Sequence, residues 1–162
     1  MEIARVSENS FKVKTKDTSL IFNPEKAGEE IVLFTKKPQD YSQFSNQLVI
    51  DAPGEYEVSG VSIKVEKHAE GLIYELFEEG QKLVVLSSPK VISSGELEDT
   101  SAVVVFLDES AGSELSKITC DIIVAVGPKE SLPEDSANIK NIDKLNLKKS
   151  EEYKGYIIHL SK

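Results

Sequence analysis

Apolar residues along this chain follow two patterns. At 11–13, 20–22, 61–65 and 73–77 they alternate, or nearly alternate, with polar residues, the period of a strand buried on one face. At 31–34, 83–86, 102–107 and 122–126 the runs are continuous and rich in β-branched residues, which predicts strands covered on both faces. Residues 55–58 and 156–160 read as further strands, with Pro53-Gly54 as a turn before the first and Gly60 as a bulge after it. Turn residues separate the runs at Lys16-Asp17, Asn23-Pro24, Glu79-Gly80, Ser88-Pro89 and Gly127-Pro128. Helical stretches are few: a short one over 41–46, another over 113–118 after Gly112, and a single turn over 95–99.

Many short strands with sparse helices predict two stacked sheets with the helices outside. The chain has 162 residues, the range of one compact domain, and shows no repeat, linker or low-complexity tract. Hydrophobic content of 40% and charged content of 29% are those of a globular protein. A formal net charge of −9 argues against nucleic acid, which needs a basic face, and against an anionic membrane surface. The N-terminal residues carry neither a basic leader nor an apolar segment, so a cytoplasmic location is expected. The one cysteine, Cys120, lies in an apolar run and reads as a buried, inert thiol.

The residues able to do chemistry are scattered. After the run at 31–34 comes a polar loop holding Lys36, Lys37, Pro38, Asp40 and Tyr41. Asp40 suits a carboxylate bonding nearby backbone N–H groups, or a general base. Lys36 and Lys37 read as a solvated pair at a strand end. If one points inward, it would pair with Asp40 or hold an anion such as a phosphate ester. His68 sits in a charged stretch and reads as an exposed loop residue, and His159 reads as the outer face of the last strand. The pairs Ser87-Ser88 and Ser93-Ser94 lack a nucleophile elbow and a nearby histidine. No P-loop, dinucleotide fingerprint or zinc ribbon is present.

Several segments in order resemble one known family. Asn9-Ser10-Phe11-Lys12-Val13 is similar to a Gly-His-Ser-Ser-Phe-Lys-Ile opening strand, and Ile21-Phe22-Asn23-Pro24 to an Ile-Asp-Pro step. Pro53-Gly54-Glu55-Tyr56-Glu57-Val58 matches a Pro-Gly-Glu-Tyr-Glu-Val signature, the most specific of the matches. Leu72-Ile73-Tyr74, the strand from Gly80 to Ser88, and Asp143-Lys144-Leu145-Asn146-Leu147 follow in register. Together they resemble the metallo-β-lactamase superfamily, in its lactonase-like, zinc-dependent hydrolase branch. The stretch from Val91 to Ile139 is shorter than that resemblance implies.

The resemblance implies an α+β fold, a truncated αββα sandwich of two mainly β-sheets with few short outer helices. It also implies a metal-binding loop, Thr-His-x-His-x-Asp-His-Ser, on which the histidines fall at Lys36, Pro38 and Tyr41, and only Asp40 is kept. The family's bridging aspartate falls on Ser88, and its last histidine near Val126-Gly127. His68 stands near the remaining histidine after a two-residue shift. An ammonium group offers no lone pair and proline has no donor atom, so the zinc site is expected to be lost and no cofactor is expected. The expected role is a non-catalytic pseudo-hydrolase acting as a binding or assembly module, with an unknown protein partner or a second copy. The alternative is a metal-independent or single-metal hydrolase using Asp40, Tyr41, His68 and Ser88. A structural protein pairing through an exposed sheet edge is the third reading.

Overall fold

Two-residue turns join several of the antiparallel strands. Ser59 (φ 49°) and Gly60 (φ 79°) link β6 (Gly54–Val58) to β7 (Val61–His68). Glu79 (φ 48°) and Gly80 (φ 77°) link β8 (Gly71–Glu78) to β9 (Gln81–Leu86). Positive φ at both central residues gives the turn whose twist matches the strands it joins. Gly60 is therefore a hairpin turn residue and not the expected bulge. A register shift lies instead between Arg5 and Ser7, where β1 (Glu2–Ser7) pairs with β2 (Ser10–Lys14).

The computed structural model describes residues 1–69, 71–91, 97–108, 111–133 and 138–161. The remaining strands are β3 (Ser19–Phe22), β4 (Ile31–Leu33), β5 (Leu48–Ile50), β10 (Ala102–Phe106), β11 (Ile122–Val126), β12 (Ile139–Ile142), β13 (Lys144–Asn146) and β14 (Tyr156–Leu160). One sheet has the order β13-β1-β2-β3-β4-β5, and the other β12-β14-β11-β10-β9-β8-β7-β6. Both are mixed: β3, β4 and β5 run parallel in the first, as do β9, β10, β11, β14 and β12 in the second. The continuous apolar runs are these parallel strands, and every residue of β4, β10 and β11 is buried.

The core between the sheets runs from Ile3 through Phe22, Tyr74 and Val104 to Ile158 and Leu160. Phe11 stacks on Phe22 at 4.7 Å between ring centroids, and Phe22 meets Tyr74 edge-on at 5.3 Å. A second core covers the outer face of the larger sheet, where Ile73, Val84, Val103 and Val105 pack with Ala111 and Leu115. These last two belong to α1 (Ala111–Leu115), which starts earlier and is shorter than the helix expected over 113–118. The helix expected over 41–46 is only a 3₁₀ turn, Ser42–Phe44, whose Phe44 packs edge-on against Phe34. The expected turn over 95–99 is a turn at 97–99, while residues 95 and 96 and the pair Ser93-Ser94 lie outside the described residues. Among the described residues, no helix is long and apolar enough to cross a membrane.

His159 alternates with Ile158 and Leu160 of the inner core and so lies on the expected outer face of the last strand, but it is buried there. It is 3% exposed, with Nε2 at 3.0 Å from the Gly127 carbonyl and Nδ1 at 3.0 Å from Asn141 Oδ1. Its ring bridges the two strands that flank β14 in the sheet, Asn141 on β12 and Gly127 just past β11, which is a structural role.

Candidate functional site

The polar loop is fixed at its root by two polar clamps. Asn23, in the left-handed region at φ 48°, accepts from the Thr35 backbone N–H at 2.9 Å and donates to Thr35 Oγ1 at 2.9 Å. The buried Tyr74 hydroxyl donates to the Phe34 carbonyl at 2.5 Å, with the Ile50 carbonyl 3.3 Å away. Burial holds the Tyr74 phenol well above its usual titration range. The exits of β4 and β5 are thus tied to a residue of the opposite sheet.

Beyond this root the two lysines diverge. Lys36 and Pro38 line a cleft of about 580 Å³ with Asn9, Ser87, Ser88, Lys90 and Asp108, over a floor that includes Phe34 and Phe106. Lys37 lines a separate cleft of about 320 Å³ with Asp51, Lys67 and His68. The first opens beyond the carboxyl ends of β4, β9 and β10, the end of parallel strands where ligand sites in α/β sheets form. Both lysines are exposed, and among the described residues neither has a carboxylate within ion-pair distance.

Each predicted site residue has a definite place. Asp40 is exposed and accepts from Ser42 N at 2.8 Å and Ser42 Oγ at 2.7 Å. Those bonds, the backbone one first, hold its carboxyl below the usual range. The Tyr41 hydroxyl donates to Asp51, and its ring meets Phe34 edge-on at 6.1 Å. The bond to Asp51, with burial and the nearby carboxylate charge adding to it, pushes the phenol up to about 12. Ser88 Oγ donates to Asp108 Oδ2 at 3.0 Å. Ser87 is buried, and its Oγ accepts from Leu72 N at 3.1 Å. His68 is not a loop residue: it closes β7, half-buried, with Nε2 4.0 Å from Glu66. Cys120 is half-buried, and burial raises its thiol pKa, which disfavours the nucleophilic thiolate.

The structure brings Lys36 and Ser88 to one cleft and His68 to another, while Asp40 and Tyr41 line neither. Sequence reading missed Asn9, Lys90 and Asp108 as neighbours of Lys36. The usable signal was position: Lys90 and Asp108 each follow closely on a continuous apolar run, as Lys36 does.

The donor set does not fit the zinc that the resemblance implies. Among the described residues, no three or more His, Cys, Asp or Glu side chains gather where they could hold a metal ion. Lys36 and Pro38 supply no lone pair to a cation, and both Asp40 oxygens already accept from Ser42. At the last expected ligand position, the Gly127 carbonyl is occupied by the His159 ring.

No family model matches the chain, and no curated protein does. Solved structures do match. A protein described as a zinc-dependent hydrolase of the metallo-β-lactamase superfamily, from Thermotoga maritima, superposes with TM-score 0.74 at 17% identity, over 99% of this chain and 100% of that one. Zinc-bound PqqB from Methylobacterium extorquens gives 0.54 at 12% identity, over 94% of this chain and 84% of its own. The metallo-β-lactamase fold protein YhfI from Bacillus subtilis gives 0.52 at 8%, over 99% and 96%. On this agreement of topology and extent, the chain has the metallo-β-lactamase fold.

Proposed function

We propose that this chain is a non-catalytic protein of metallo-β-lactamase fold that works without zinc, as a binding or assembly module in the cytoplasm. The observation that supports this most is the chemistry of the loop after β4. Lys36 and Pro38 fill two positions that the resemblance assigns to histidines, and Asp40 is turned to Ser42. A strongly acidic chain suits a protein partner or a second copy of itself better than nucleic acid or an anionic membrane.

The hydrolase reading on Asp40, Tyr41, His68 and Ser88 has less support, because general acid–base work needs its groups within reach of one substrate. Ser88 and His68 line different clefts, and Asp40 and Tyr41 bond to Ser42 and Asp51. The test is turnover of lactone, ester, β-lactam and phosphodiester substrates, with and without added zinc. The expected result is no rate above background. Turnover that is lost in Asp40→Ala would overturn the proposal.

A further inference from the structure

The cleft beside Lys36 is lined by two lysines on an otherwise acidic chain. The chain is acidic overall at −9, and lysines such as Lys12, Lys64 and Lys148 are paired with carboxylates at 2.5, 2.5 and 2.8 Å. Lys36 and Lys90 both line this one cleft, and among the described residues neither makes an ion pair. The Asn9 amide lines it as well. Among the described residues the one carboxylate lining it, Asp108, accepts from the Ser88 hydroxyl at 3.0 Å, and the Lys90 backbone N–H donates to Ser88 Oγ at 3.3 Å. The floor is apolar, with Phe106 only 7% and Phe34 4% exposed. Phe106 is backed by the buried Phe11 at 5.5 Å between centroids.

We infer that this cleft binds a small phosphate monoester, its phosphate between Lys36 and Lys90 and its organic part against Phe34 and Phe106. The inference rests on the metal-free reading above and gives that binding module a ligand class. Two ammonium groups act as compact point charges, the way lysine serves in phosphate sites, and together they match the charge of a dianion. The volume of about 580 Å³ lies within the roughly 300–1,000 Å³ of small-ligand sites. Asp108 opposes the anion, and its bond from Ser88 offsets only part of that repulsion.

The test is a titration of the full chain with phenyl phosphate, followed by amide NMR, with benzyl alcohol as the neutral control. Saturable shifts at Asn9, Thr35, Lys36, Ser88 and Lys90, weakening with added salt, are expected for phenyl phosphate and not for benzyl alcohol. The double variant Lys36→Ala, Lys90→Ala should bind about tenfold or more weakly. Lys36→Arg with Lys90→Arg should keep binding, and Asp108→Asn should tighten it. Both lysines are exposed, so the variants' own amide spectra report that the fold is kept. Absence of saturable shifts, equal shifts with benzyl alcohol, or unchanged affinity in the double alanine variant would overturn the inference. Metal analysis of the same sample separates the two readings. Stoichiometric zinc removes the metal-free reading, whereas a metal-free sample that ignores phenyl phosphate removes only this inference.

Discussion

Ser88 Oγ and Asp108 Oδ2 lie 3.0 Å apart, one hydroxyl–carboxylate bond joining the exits of the parallel strands β9 and β10. Asp108 is exposed and Ser88 half-buried, so the bond competes with water. Ser88→Ala should therefore change stability by less than about 1 kcal/mol in urea unfolding. Ser88→Asp, which places a carboxylate where the resemblance puts a bridging one, should still bind no zinc by calorimetry, because Lys36 and Pro38 remain.

How far the sequence could be read follows from where each residue's neighbours come from. The runs that became β4, β9, β10 and β11 were legible because their own apolar continuity demands cover on both faces. His159 was not. Its period-two position on β14 is the same whether the outer face meets water or protein, and its partners Gly127 and Asn141 come from segments 32 and 18 residues away. The strands β1, β5 and β12 are short or mixed in polarity and gain their pairing from partners distant in sequence. At the site, the loss of metal donors could be read directly from residue chemistry. Which side chains share a cleft could not, since Lys36 and Lys37 are adjacent in sequence yet face different openings.

Tyr74 should prove the most costly hydroxyl to remove. Tyr74→Phe strips the buried Phe34 and Ile50 carbonyls of a donor, and should destabilise by about 1–3 kcal/mol in chemical denaturation. The exits of β4 and β5 should lose amide-exchange protection before the rest of the sheet.

Gly71 and Ser87 are coupled through space. A Cβ on Gly71, at φ 142°, would stand 2.0 Å from Ser87 Oγ. Gly71→Ala should destabilise by about 1–3 kcal/mol, combining backbone strain with overpacking. Adding Ser87→Gly should recover the packing part, leave the strain and cost the Leu72 N–H its acceptor, and a double-mutant cycle against Ser87→Gly alone isolates the recovered part.

The Tyr41–Asp51 bond sets an alkaline dependence. An unfolded tyrosine titrates near 10, and the folded phenol is pushed up to about 12. The bond's contribution is full below the unfolded value and is lost as pH rises through the folded one, a window of roughly 10 to 12. Phenolate absorbance should show one late-titrating exposed tyrosine, returned toward the ordinary range in Asp51→Asn. Asp40 behaves in the opposite sense. Its folded pKa is depressed, so its contribution is present above the unfolded carboxylate range and fades as pH falls through the folded value. Carboxyl NMR titration of Ser42→Ala should move Asp40 upward.

Elemental analysis of tag-free protein, purified without chelator, bears most directly on whether this fold has given up its ion. Zinc and iron well below one per chain, unchanged in Asp40→Ala, are the predicted result. Stoichiometric zinc or iron that disappears in Asp40→Ala would contradict it.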